Sequence, residues 1–468
     1  MSATTGERRA LTLSVLGTLV WTLDVAITQL ILPEAQKSLG LSFTDSQWIF
    51  AASLVGFVAF GLIGGWVGDT RGPKLALRIG ASLYAISCAA GVGFALAGNG
   101  AFFILTRLIC GVAAAMLMPA AVSVVTQNYP TEHLGRALGR AFGLTMIVTA
   151  LTPVAMGVVI GAVGFAWAYI PMIAVAVAVT VLARGTSTGS GRRLDKPGAA
   201  LAIVGPGLLV VGLMQAGAAG WTSPVVLASL IVGLLAIAAF ALVELRRPEP
   251  LLDVRVFTIG TFLVAFLVML LGYLPQTLNG AFVLRYVQEV LGVSATVAAV
   301  TSLITTLTIF ALSRYAGSFY DRRGARPTFT VTVVGYLLGS ALLAAGFWLA
   351  SFWALIPALV VVGASTAFQA SARTEGQLAV PTEHRGSAAS VFSLAGQFGT
   401  AMSVAVLTTV QVELVQRALA EGLADPLEIS TRVLVPMAFG SAVVMVVLLI
   451  VVRRMRPQNS RRAAAATP

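Results

Sequence analysis

Fourteen apolar runs of about twenty residues or more succeed one another along this 468-residue chain, and that succession restricts its fold more than any other feature. A run of roughly 20 apolar residues is what an α-helix needs to cross a bilayer core about 30 Å thick. Lipid offers no partner to backbone amides, so such runs must be helices packed on one another. The runs fall at about 11–33, 46–67, 75–97, 100–126, 136–160 and 163–184, then 198–217 and 223–243, then 257–280, 294–317, 327–349, 351–372, 386–411 and 431–452. With 58% hydrophobic and 10% charged residues, a soluble fold of this size is excluded. The chain reads as an all-α polytopic membrane protein.

The net charge of +12 does not point to nucleic acid, because the basic residues sit in short loops and form no single patch. Of the 30 Lys and Arg, 25 lie in segments on the side of the N-terminus, 4 lie opposite and Arg107 is left inside a run. This asymmetry predicts that both termini are cytoplasmic and that the chain sits in the cell's inner (plasma) membrane. Arg8 and Arg9 before the first run resemble a signal-peptide start. That run is too long and lacks a cleavage site, so it reads as an uncleaved span. Cys88 and Cys110 lie in apolar runs, where neither a disulfide framework nor a metal site is signalled.

A polar Gly/Ser-rich stretch from Arg184 to Lys196 separates the first six runs from the rest. The expected organisation is an N-terminal six-helix half over 1–185, a linker with two extra spans over 186–255, and a C-terminal half with its tail over 256–468. Internal repetition supports it. Gly65-Trp-Val-Gly-Asp69-Thr-Arg71-Gly72-Pro-Lys74 returns as Gly317-Ser-Phe-Tyr-Asp321-Arg-Arg323-Gly324-Ala-Arg326, 252 positions later. Pro130-Thr-Glu132-His133-Leu-Gly135 returns as Pro381-Thr-Glu383-His384-Arg-Gly386, 251 positions later. Two independent matches at nearly one offset indicate a parallel duplication, the plan of a secondary transporter.

Asp24 stands in the middle of the first run, where a carboxylate costs roughly 2.5–3.5 kcal/mol on insertion scales. At helical spacing Gly17, Trp21, Asp24 and Thr28 share one face, which is expected to point into the bundle. Arg107 is the natural partner, since its guanidinium stays charged and needs an anion. Burial favours the protonated form of a carboxyl and a cation beside it favours the carboxylate, so such a pair can load and unload a proton when the conformation changes. A static interhelical tie is the alternative reading. Shifting the pair by the repeat offset lands near Gln276 and Ala358, so proton coupling is expected in the N-terminal half alone. Trp21, Thr28, Gln29, Gln276, Asn279 and Gln397 are the polar and aromatic candidates for a substrate cavity, each equally readable as an interhelical contact. Gly65 and Gly72 allow a tight turn at which Asp69, Arg71 and Lys74 can form a charged latch, repeated by Asp321, Arg323 and Arg326.

These segments together resemble a major facilitator superfamily transporter, of the fourteen-helix drug:proton antiporter family, over about Leu11 to Arg454. The first-helix signature reads Leu23-Asp24 through to Pro33, the loop signature reads Gly65 to Lys74, and the fourth-helix pattern reads Arg107-Leu-Ile-Cys110-Gly111. The linker signature reads Leu194-Asp195-Lys196-Pro197-Gly198, Gly220-Trp221 and Glu249-Pro250-Leu251. The fifth-helix antiporter pattern, Gly-Pro-x-x-Gly-Gly, reads Thr152-Pro153-Val-Ala-Met156-Gly157 and keeps only Pro153 and Gly157, and Trp167-Ala-Tyr169 stands where the family has Trp-Arg-Trp. The resemblance implies a monomeric, proton-gradient-driven transporter that exports small amphipathic molecules by alternating access, with no other cofactor, no metal and no nucleic acid partner. A lipid, glycolipid or other metabolite transporter of the same fold is the alternative. A membrane enzyme would need a catalytic set at membrane depth, and no paired carboxylates, His-Glu-x-x-His or Ser/His/Asp arrangement is found.

Overall fold

The computed structural model describes residues 5–129, 131–185, 195–247, 250–252, 254–293, 295–380 and 385–455, with some helical side chains among them left undescribed. The middle of the Gly/Ser-rich linker, Leu194, Glu249, Pro130, the segment Pro381 to His384 and the tail from 456 lie outside these residues. The chain divides into two compact units, Met1–Leu252 and Asp253–Pro468.

The first unit contains α1 (Thr5–Ser38), α2 (Phe43–Arg71), α3 (Pro73–Leu96), α4 (Gly100–Asn128), α5 (Thr131–Val163), α6 (Ile170–Leu182), α7 (Lys196–Ala219) and α8 (Pro224–Leu245). The second contains α9 (Gly260–Leu271), α10 (Tyr273–Thr277), α11 (Val283–Arg285), α12 (Ala295–Arg323), α13 (Ala325–Trp348), α14 (Phe352–Leu378), α15 (Arg385–Ala420) and α16 (Pro426–Arg454). Twelve stretches of the described residues are long and apolar enough to cross a membrane, and α9 to α11 with their π-helical turns form one of them, Gly260–Val290. The runs expected at 136–160 and 294–317 fall on α5 and α12, whose 33 and 29 residues have the length for a bilayer. Large apolar side chains such as Ile86, Leu234, Leu235, Trp348 and Trp353 lie exposed, as a lipid-facing surface requires.

Helix ends follow local chemistry. Ser42 caps α2 by accepting the Asp45 amide at 3.1 Å, and the Asn99 side chain caps α4 by accepting from Phe102 at 3.2 Å. Gly72 at φ +91° turns α2 into α3, where Pro73 opens the new helix. Gly324 at φ +81° does the same between α12 and α13. The duplication is therefore structural: α2 and α3 recur as α12 and α13 with both ends of each helix displaced by 252 positions.

Close approach of α4 to α2 positions the later site. A Cβ on Gly111 would lie 2.0 Å from the Ser53 carbonyl oxygen, and one on Gly56 would lie 2.2 Å from that of Leu108. The backbones touch because neither glycine holds them apart, the packing mode expected between helices in lipid. Helices α7 and α8 pack likewise, with Gly212 against Leu230 and Gly233 against Leu209, and Gly207 brings α7 onto Ala59 of α2.

Candidate functional site

The polar centre of the first unit is built on α1, α3 and α4. Asp24 and Arg107 are each 1% exposed, and the guanidinium donates to Asp24 Oδ2 at 2.5 Å and to Thr28 Oγ1 at 2.9 Å. Tyr84 of α3 donates its hydroxyl to Asp24 Oδ1 at 2.5 Å, so both carboxylate oxygens are held. Tyr169, just before α6, lies with its ring 5.0 Å from the Arg107 guanidinium carbon and its hydroxyl 3.4 Å from Thr28. This is a charged pair removed from water and satisfied by short hydrogen bonds, the only form in which burial of two ions is tolerable.

The helices set this geometry. Asp24 and Thr28 stand one turn apart on α1, so both reach one guanidinium. Ser53 of α2 donates to the Arg107 carbonyl at 3.1 Å, tying the arginine's own turn to the glycine-lined α2–α4 contact. Gly17 lets α3 and α4 close on the same face of α1, since a Cβ there would lie 3.0 Å from Leu77 and 3.2 Å from Ala121. Arg107 Nε is buried with no acceptor among the described residues, so the guanidinium retains capacity for one more.

The second unit carries a neutral version of the cluster. Gln276 Nε2 shares its two hydrogens among three acceptors, Tyr336 Oη at 2.9 Å, Gln369 Oε1 at 2.7 Å and the Gly272 carbonyl at 3.1 Å. Gln276 and Tyr336 lie 252 positions after Asp24 and Tyr84, so the duplication repeats the acid and tyrosine as amide and tyrosine. Gln369 Nε2 in turn donates to the Val268 and Met269 carbonyls at 3.0 Å, beside the break in the helix at Gly272 and Pro275.

The other predicted residues are placed as follows. Trp21 is buried and stacks on Phe57 at 4.7 Å. Gln29 is exposed and Gln397 half-buried. Asn279 is buried and donates to Thr305 at 3.1 Å, with its carbonyl oxygen unpartnered among the described residues. Gly65 is buried at the α2 end where Asp69 and Arg71 are exposed and Lys74 half-buried. Asp321 and Arg323 are exposed at the end of α12, and Arg326 donates to the Arg453 carbonyl at 2.8 Å. Thr152 bonds back to Val148 at 2.7 Å, the Pro153 side chain lies outside the described ones, and a Cβ on Gly157 would meet no atom. A groove of about 470 Å³ in the second unit, lined by Arg314, Tyr315, Ser318, Phe319, Arg322 and Arg323, shares no residue with either polar cluster.

Sequence reasoning misses Tyr84, Tyr169 and Glu375. Glu375 is buried on α14 and accepts a hydrogen bond from Tyr320, but the run was expected to end at 372, which counts it as loop.

Comparisons with known proteins agree over most of the chain. The Major Facilitator Superfamily profile matches residues 14–404. The methylenomycin A resistance protein of Bacillus subtilis is 27% identical, with 84% of each chain covered. The puromycin resistance protein of Streptomyces alboniger is 30% identical, over 83% of this chain and 78% of that protein. A crystal structure of a POT peptide transporter with sulfate superposes at a TM-score of 0.70 with 15% identity, covering 96% and 94% of the two chains.

Proposed function

The chain belongs to the major facilitator superfamily, a family of transporters and not of enzymes, and from that premise we propose that it is a proton-driven exporter of small amphipathic organic molecules, with Asp24 as proton carrier. The observation that carries this reading is the Asp24–Arg107–Tyr84 cluster, fully buried in one unit and matched in the other by amides that cannot titrate. The names of the relatives as resistance proteins support small organic molecules as cargo.

The chemistry follows from the pair. A proton on Asp24 abolishes the charge that holds Arg107, and stranding a buried ion costs about 3–5 kcal/mol. The cluster therefore rearranges on protonation: α4 moves relative to α1, or the guanidinium takes another acceptor through the capacity of its Nε. One pH unit supplies about 1.4 kcal/mol and 100 mV about 2.3 kcal/mol per charge, so a proton gradient is of the size needed to drive that rearrangement. Proton release restores the ion pair and resets the cycle. With both termini on the basic, cytoplasmic side, protons entering the cell drive cargo outward.

The test uses inverted vesicles from cells expressing the chain, with an acid interior imposed and a panel of amphipathic dyes and antibiotics outside. Accumulation that collapses when the gradient is dissipated is the expected result. Uptake that persists unchanged without the gradient overturns proton coupling.

A further inference from the structure

The linker signature around Asp195 and Gly198 has no part in this cycle, yet its half-buried aspartate lies beside a buried glutamate, Glu244. Asp195 precedes α7, and Glu244 sits in the last turn of α8 at 2% exposure. One oxygen of each is engaged: Asp195 Oδ1 lies 3.3 Å from the Arg247 guanidinium, and Glu244 Oε2 accepts the Leu252 amide at 3.1 Å. The other two, Asp195 Oδ2 and Glu244 Oε1, are buried without a hydrogen-bond partner among the described residues. Both flank the same glycine, for a Cβ on Gly198 would lie 2.7 Å from the first and 2.6 Å from the second. Two bare carboxylate oxygens so placed repel each other and forfeit their solvation. A single proton on the pair removes the repulsion, and a small rotation of either side chain then closes an O–H···O hydrogen bond that satisfies both atoms together.

We propose that Asp195 and Glu244 share one proton, a second protonation site of this protein that ties the start of α7 to the end of α8. The proton comes from solvent and takes the pair from two negative charges to one, which Arg247 faces. Lys196 and Arg246 are exposed at the same helix ends, and α2, packed against α7, ends in the exposed Asp69 and Arg71. The site explains the glycine at 198, since any side chain there displaces the two oxygens that hold the proton. Glu244 Oε2 meanwhile keeps the Leu252 amide, so the pair also fixes the backbone just after α8. A proton bound more tightly by the folded pair than by the unfolded chain stabilises at low pH, and the stabilisation fades as pH rises through the pair's titration.

The experiment uses the full chain in lipid nanodiscs on an Asp24→Asn background, which removes the other proposed proton site and keeps the result independent of the transport reading. Infrared absorption of protonated carboxyl groups and the melting temperature are both followed from mildly acidic to alkaline pH. The parent should lose the intensity of one carboxyl as pH rises, with melting temperature falling in step. Glu244→Gln keeps an N–H donor toward Asp195 and should lack both changes, as should Asp195→Asn. If either variant retains the parent's infrared change and melting slope, or the parent shows neither, the shared proton is refuted. The two variants are read separately, so poor folding of one leaves the other to decide.

Discussion

Replacing Arg107 with leucine should cost the folded protein about 3–5 kcal/mol, the range for removing one partner of a buried ion pair. The upper half of that range applies, because both side chains are 1% exposed and the nitrogen–oxygen distance is 2.5 Å. Without the guanidinium, Asp24 keeps the Tyr84 hydroxyl as its remaining donor among the described residues, and one hydrogen bond to a charged group offsets only about 1.5–3 kcal/mol. In a unit of about 250 residues each kcal/mol moves the melting temperature by roughly 2–4 °C, so a fall of about 10 °C is expected. The discriminating arm is the double variant. Arg107→Leu with Asp24→Asn leaves no stranded charge and should recover most of the loss, giving a coupling energy above about 2 kcal/mol in a double-mutant cycle. Thermal unfolding of the four proteins in one detergent measures it. If Arg107→Leu melts with the parent, or the double variant is no more stable than the single, Asp24 and Arg107 are not an energetically coupled pair.

Tyr84→Phe removes one hydrogen bond to the Asp24 carboxylate and should destabilise by about 1.5–3 kcal/mol; a variant that melts with the parent contradicts the assignment. Gly111→Ala forces a Cβ to within 2.0 Å of the Ser53 carbonyl oxygen and should cost about 1–3 kcal/mol or prevent folding, whereas Gly157→Ala meets no atom and should change stability by under about 0.5 kcal/mol; equal melting of the two variants would contradict the packing described. Asp69→Asn should slow turnover with substrate affinity preserved, and a large affinity loss at normal turnover would mean that Asp69 is not a gate.

Much of the fold is legible in the sequence because lipid removes alternatives: a run long enough to span a bilayer can only be a helix. The duplication is legible because a tight turn needs a particular residue type, so Gly72 and Gly324 keep the 252-residue offset that their positive φ angles share. The Asp24–Arg107 contact is legible for a similar reason, each being the lone mid-span charge of its helix. Tyr84 is hidden, since one tyrosine in an apolar run reads as core. The signal lies in the offset, which places Tyr84 on Tyr336 and would have joined it to Asp24 through Gln276. The amides are ambiguous in the sequence because a glutamine that faces a cavity and one that braces a helix look alike. Gln276 braces Gly272 and meets two partners besides. Asp195 and Glu244 stand 49 positions apart and carry no periodic pattern, so only their common approach to Gly198 reveals them.

The central claim is that the Asp24 carboxylate carries the coupling proton, and Asp24→Asn tests it most directly because the amide mimics the permanently protonated form. Reconstituted into proteoliposomes with an imposed pH gradient, the variant should fold and still bind neutral substrate. It should show no transport in response to the gradient, with proton flux on substrate addition absent as well. Full gradient-driven transport and proton flux by Asp24→Asn would make the carboxylate structural and contradict the account.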